Sequence, residues 1–148
     1  MNMKKPLSLL SAIVLVAPLY ANEPAEVGEL AASYKTLRNE KKYDELIAKC
    51  FCRERVTDAM LQATKQVLGF GATVESFKIE KATDQDKKLF LEGAVFGDQG
   101  RLYSNLDPAW VIVFTCAASG KNPASTERVA VGQDGDKWRI SMLAPKKN

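Results

Sequence analysis

Between residues 24 and 68 the apolar positions recur with a helical period. Val27, Leu30, Ala31, Tyr34 and Leu37 fall at the i, i+3, i+4, i+7 spacing that gives a helix one apolar stripe. Asn22 stands where a cap is needed, and Pro24 suits a first turn. The run Arg38-Asn39-Glu40-Lys41-Lys42 reads as a break or a solvated surface. Tyr43, Leu46, Ile47, Cys50 and Phe51 then resume the spacing in a short second helix. Val56, Met60, Ala63, Val67 and Leu68 mark a third, which Thr57 or Asp58 can cap. Gly69 or Gly71 is expected to end it in the left-handed conformation.

From Thr73 onward the period is two and turn signals recur. Thr73–Lys81, with Phe77 and Ile79 on one face, predicts a half-exposed strand, and Asp84-Gln85-Asp86-Lys87 a turn. Lys88–Phe96 (KLFLEGAVF) is apolar on both faces, which predicts a central strand covered on both sides. Gly97-Asp98-Gln99-Gly100 is another turn, and Trp110–Ala117 (WVIVFTCA) the strand with the strongest buried pattern. A polar loop, Ala118–Ser125, separates it from a strand over Thr126–Gln133. Asp134-Gly135 is a hairpin signal leading into Lys137–Leu143, where Trp138, Ile140 and Met142 share a face. A helical block followed by an antiparallel meander predicts an α+β fold, with the amino-terminal helices as cover for the sheet.

The first 21 residues change the picture of where the protein works. Lys4 and Lys5 precede an apolar run from Leu7 to Tyr20, followed by Ala21 and then Asn22-Glu23-Pro24. This is the grammar of a secretory signal peptide, with cleavage expected after Ala21 and Ala17 as an alternative. The run is too short for a good membrane anchor, which needs about 20 apolar residues. No Cys lies near its end, which argues against a lipoprotein. The short Lys-headed signal points to a bacterial periplasm, with residues 22–148 as one α+β domain.

Removing Lys4 and Lys5 leaves 19 basic and 18 acidic residues, so the formal charge of +3 falls to +1. That balance gives no reason to expect nucleic acid or an anionic membrane as partner. In an oxidising compartment Cys50, Cys52 and Cys116 can pair, yet three is odd. A Cys50–Cys52 ring would be strained. The alternatives are a bridge from Cys50 or Cys52 to Cys116, or three buried thiols acting as small hydrophobes. Cys-x-Cys with one further Cys and no His is a poor zinc signature, and no metal is expected.

The chain has no histidine, which excludes Ser-His-Asp and Cys-His catalysis and His-ligated metals. Neither a Walker loop nor G-x-G-x-x-G is present, since Gly69-Phe70-Gly71 lacks the third Gly and follows a helix. No cofactor is expected. Arg53 and Arg55 could meet an anion, though a solvated face explains them as well, and Lys87-Lys88 and Lys146-Lys147 read as surface charge. Trp110, Trp138, Tyr103, Phe114 and Phe90 could line an aromatic pocket, or simply fill the core.

Three helices and then an antiparallel sheet ending in a D-G-x-x-W hairpin resemble the nuclear transport factor 2-like cone. The residues that carry this are Lys41-Lys42-Tyr43-Asp44, Leu68-Gly69-Phe70-Gly71 and Asp134-Gly135-Asp136-Lys137-Trp138-Arg139-Ile140, and the resemblance spans most of the chain after residue 21. It implies a cone-like curved sheet with a pocket between helices and sheet, which in that superfamily is catalytic, ligand-binding or filled. Enzymes of the superfamily place Asp, Tyr or Arg there, which would draw on Tyr34, Asp44, Tyr103 and Glu92 here, although none aligns with a catalytic motif. Glu92 interrupts an apolar run, so it either faces solvent or is buried with a raised pKa. The expected role is a small exported domain that binds an apolar small molecule, a periplasmic protein or a second copy of itself, without catalysis. The alternatives are an isomerase or hydrolase using pocket Asp or Glu with Tyr, and an inhibitor or immunity-type protein contacting its target through protrusions at Ala118–Ser125 and Arg101–Ala109.

Overall fold

Three helices open the computed structural model, which describes residues 23–148: α1 (Ala25–Asn39), α2 (Tyr43–Cys50) and α3 (Asp58–Phe70). The expected signal segment and Asn22, the expected cap, lie outside the described residues. Pro24 stands at the cap position of α1 in extended backbone, just before the first turn. The five stripe residues of α1 are all buried, as the spacing requires. The stripe runs on into Arg38, only 4% exposed, so the polar run after Leu37 is not simply solvated surface. Arg38 lies four residues after Tyr34 and therefore on the same helix face. Asn39 is engaged too: its amide and carbonyl bond the carbonyl and N–H of Val74, both at 2.9 Å. Lys41, at φ 61°, turns the chain into α2.

Thr57 caps α3, its hydroxyl accepting from the Met60 N–H at 3.2 Å. The expected left-handed ending does not occur, since Gly69 is inside the helix and Gly71 is extended at φ −70°. What Gly71 supplies is space: a Cβ there would stand 2.1 Å from Nη2 of Arg38.

The strands are β1 (Val74–Lys81), β2 (Ala94–Val95), β3 (Arg101–Ser104), β4 (Trp110–Cys116), β5 (Ser125–Asp134), β6 (Lys137–Ile140) and β7 (Leu143–Ala144). They form two antiparallel sheets, ordered β1-β4-β5-β6 and β2-β3-β7. The predicted turn at 84–87 and strand over 88–96 are replaced by helix α4 (Asp84–Glu92), followed by the two-residue β2. The reason is a capping box. The Thr83 hydroxyl accepts from the Asp86 N–H at 3.1 Å, and the Asp86 carboxylate accepts from the Thr83 N–H at 3.0 Å. Wound as a helix, the apolar run turns only Phe90 inward and leaves Leu89 and Leu91 exposed.

The hairpin at Asp134-Gly135 forms as expected, with Gly135 at φ 65°. The strand that follows is cut at Ser141-Met142, where the chain leaves the first sheet for the second. The Ser141 N–H still reaches the Ala130 carbonyl at 2.9 Å, but the Met142 N–H bonds Oδ1 of buried Asn105 at 2.9 Å. Asn105 also donates to the carbonyls of Cys52 and Glu54, tying three segments together. Arg101–Ala109 therefore does not protrude: Leu102, Asn105, Leu106 and Pro108 are buried.

The main core lies between α1, α2 and one face of the larger sheet, where Ile112, Phe114, Cys116, Val131 and Ile140 meet the α1 stripe, Leu46 and Cys50. Val111 and Val113 point to the opposite face, onto Ala82 and Phe90. Both faces of β4 are covered, which accounts for its near-continuous apolar run. The cover of the second face comes from α4, which the sequence reading had assigned to the sheet. The molecule is thus α+β, with helices packed on an antiparallel sheet. Among the described residues no helix is long and apolar enough to cross a membrane.

Candidate functional site

Helix α3 packs on α2 and gives the main core only Leu68 and half-buried Leu61. Its inner stripe is therefore only partly covered: Met60 and Leu68 are buried, Ala63 and Thr64 half-buried, and Val67 is 69% exposed. The uncovered part of the stripe forms one wall of a cleft of about 290 Å³. Ser141, Met142 and Leu143, the segment that crosses between sheets, face the stripe, and Tyr34, Phe51 and Phe96 complete the lining. The sheet switch builds this second wall, because the Met142 N–H bonds Asn105 instead of continuing the ladder with β5.

Three hydroxyls line the cleft, and no carboxylate, amine or thiol. Thr64 spends its proton on the Met60 carbonyl at 2.8 Å. The Tyr34 ring stacks on Phe114 with centroids 4.4 Å apart, and its hydroxyl accepts from Nη1 of Arg38 at 3.2 Å. Burial, opposed by the Arg38 charge and helped by Glu127, pushes the phenol up to about 12, so it stays protonated at neutral pH. Arg38 is itself held by both carboxylate oxygens of Glu127 on β5. Burial works against the Arg38 charge, but the bonds to Glu127 and Tyr34 outweigh it and the guanidinium's pKa rises. Neutralised in this way, Arg38 offers no free cation to the cleft.

Of the residues expected at a pocket, only Tyr34 lies in this lining. Trp138 packs against the main core and borders a separate open cleft with Glu26, Glu29, Lys49 and Arg139. Trp110 is half-buried against the same core, and Tyr103 pairs with Ala144 in the smaller sheet. Glu92 is exposed at the end of α4, where its carbonyl accepts from Arg101. Asp44 is exposed and pairs with Lys65 at 2.8 Å. Tyr34 thus has none of the three expected partners, Asp44, Glu92 and Tyr103, beside it in the cleft. Arg53 is exposed, and Arg55 donates to the Pro145 carbonyl at 2.6 Å.

Cys50, Cys52 and Cys116 are free thiols, all buried. Cys50 and Cys116 share the main core, as the facing of the second helix and the central strand predicts. Burial pushes Cys50 up to about 11 and raises Cys52 and Cys116 as well. The Cys52 sulfur and carboxylate oxygens of Glu54 and Asp134 lie within 4.8 Å of one another. Asp134 keeps the Cys52 proton in place, adding to the effect of burial.

Sequence reasoning passed over Arg38, Glu127 and the Ser141–Leu143 wall. The signal for Arg38 was its i+4 position after Tyr34 on the buried stripe. Glu127 and the wall carry no local signal, because tertiary contacts alone bring them into place. Comparisons with models of known families, with curated proteins and with solved structures return no match.

Proposed function

We propose that the protein is a small exported binding domain that holds an apolar ligand in the cleft beneath α3 and carries out no covalent chemistry. The observation that carries this is the lining itself: an apolar cleft of about 290 Å³ whose polar groups are three hydroxyls, one of them a phenol kept protonated. Apolar concave sites with a few fixed polar groups are the usual form of small-molecule sites. The enzyme alternative needed a buried carboxylate near a tyrosine, and Glu92 stands in solvent instead. The succession of helices and antiparallel strands supports a nuclear transport factor 2-like cone as the architecture. The signal-like residues 1–21 support a periplasmic location.

The binding test uses phenylnaphthylamine, a neutral dye that brightens in apolar surroundings. Saturable brightening at one site, abolished in Ala63→Trp, is the expected result. Brightening that Ala63→Trp leaves unchanged would place the dye elsewhere and remove the support for the cleft. Export is checked by intact mass: the periplasmic protein should begin at Asn22, and a retained full chain would refute it.

A second reading rests on one observation. Val67, Phe70, Leu89, Leu91, Val95 and Phe96 are exposed on α3, α4 and around β2, with Phe70 at 89%. Val67 and Phe70 lie three apart on α3, and Val67 shares the cleft's lining with Phe96, so another protein or a second copy could cover this rim. Size-exclusion chromatography with and without Phe70→Ser tests it: a mass that drops to that of one chain supports self-association.

A further inference from the structure

Strand β1 stands at the end of the larger sheet, and β4 is its one strand partner among the described residues. From Phe77 opposite Phe114 to Lys81 opposite Trp110 the ladder is regular, and the Ala82 N–H continues it to the Ala109 carbonyl at 3.0 Å. Peptide groups alternate in direction along a strand. Lys78, Glu80 and Ala82 therefore turn theirs toward β4, and Phe77, Ile79 and Lys81 turn theirs outward. Among the described residues these outward groups have no hydrogen-bond partner. Further back the edge is closed: the ladder is irregular between Val74 and Ser76, and Asn39 holds both peptide groups of Val74. A row of free donors and acceptors is a template for another strand. Here the free row is regular and centred on Ile79.

The charges on the strand select its partner. A second β1, antiparallel and related by a two-fold axis at Ile79, sets Ile79 opposite Ile79 and Phe77 opposite Lys81, so every outward group finds a mate. Between these pairs Lys78 of each copy stands opposite Glu80 of the other, at the positions where facing side chains are closest. A two-fold axis at Lys78 or at Glu80 would instead set a charge opposite its own kind. Lysines on an edge ordinarily keep other strands away. In β1, however, Lys78 and Glu80 share one face, 3.0 Å apart, and the reversed strand presents the same two charges in the opposite order.

We propose that two copies of the chain pair through β1 about Ile79, joining their larger sheets into one continuous antiparallel sheet. This surface uses no residue of the cleft or of the exposed rim around Phe70.

The test is sedimentation velocity on the chain from Asn22 onward, between about 10 µM and about 1 mM, where the mass should climb toward that of two chains. Lys78→Glu alone and Glu80→Lys alone each set like charges opposite one another at both positions, and each should weaken association about ten-fold or more. An equimolar mixture of the two variants restores opposite charges and should associate within about three-fold of the unchanged chain. Glu80 also bonds Arg128 in its own chain, and recovery on mixing separates the loss of that bond from a loss of pairing. Lys81→Pro removes an outward N–H and no bond to β4, so it should block pairing with the far-UV signal unchanged. Residue-resolved hydrogen exchange should show the amides of Phe77, Ile79 and Lys81 gaining protection as concentration rises, with Lys78 and Glu80 constant. A chain that stays single throughout, charge variants that associate as the unchanged chain does, or variants that fail to recover on mixing would overturn the proposal. A dimer lost in Phe70→Ser and kept in Lys81→Pro would overturn it as well, by placing the interface on the rim.

Discussion

Burying Arg38 is tolerable because Glu127 reaches it with both oxygens and Tyr34 takes a further N–H. Only Nε lacks a partner among the described buried side-chain atoms. Truncating Glu127 would leave a buried, unpaired cation. Glu127→Ala should cost about 2–4 kcal/mol, somewhat below the loss expected from a fully buried pair because Glu127 is 39% exposed. Arg38→Met removes the cation and leaves Glu127 free to face water, so it should cost less than Glu127→Ala. Urea unfolding of both variants checks the order, and a costlier Arg38→Met would mean that packing outweighs charge at this site. The cysteines set a pH limit by the same reasoning. Cys50 is pushed up to about 11 by burial, while in the unfolded chain it ionises near 9. Its contribution is complete below pH 9 and is lost as pH rises through 11, because the unfolded state sheds its proton first. Stability should therefore fall between pH 9 and 11, and Cys50→Ala should flatten that fall although it is less stable at neutral pH. An unchanged slope would place the titration on other groups, Tyr34 among them.

Helix α4 shows how a short element turns on its cap. Apart from half-buried Phe90 and the box residue Asp86 it is little buried, so packing on the sheet holds it weakly and the Thr83–Asp86 box contributes a large share. Thr83→Ala should cost about 1 kcal/mol, seen as lower far-UV helix signal and earlier thermal unfolding. A change below a few tenths would mean that Phe90 alone anchors the helix. Arg128 adds to the same corner by bonding Asp86 at 3.0 Å and Glu80 at 3.1 Å. The fold was legible wherever one face of an element is buried. The stripe of α1, the spacing of α2, the apolar run of β4 and the Asp-Gly hairpin all translate directly. The sequence misled where that rule fails. In α4 a run of apolar residues is largely exposed, so its composition imitated a buried strand, and the T-x-x-D box was the competing signal. In β6 the alternation of Trp138, Ile140 and Met142 continues through a break that only Asn105 imposes, from 37 residues away. At the site, Tyr34 was legible as a stripe aromatic, whereas the facing wall exists only because the chain passes there from one sheet to the other.

At the scale of the whole molecule, the cores and the cleft divide the structure into parts of unequal rigidity. The main core ties α1 and α2 to the larger sheet, and α4 closes its other face. Only Met60 and Leu68 of α3 are buried, and that helix rests on α2 with the cleft beneath it. Few buried apolar contacts mean a low free energy of local opening. Amides of α3 should therefore exchange with solvent well before those of α1 and β4, whose opening approaches the global unfolding free energy. A ligand bound beneath α3 would supply the apolar contacts that the helix lacks. Saturating the protein with phenylnaphthylamine should then slow exchange along α3 and at Ser141–Leu143, leaving α1 and β4 nearly unchanged. At a ligand concentration 100 times the dissociation constant, the slowing for opening that expels the ligand should reach about 100-fold, or about 2.7 kcal/mol. Hydrogen exchange followed by mass spectrometry reads both halves of this expectation. Equal exchange of α3 and α1 in the free protein would show that α3 is as firmly seated as the rest. Protection confined to the Trp138 cleft would move the binding site away from α3 altogether.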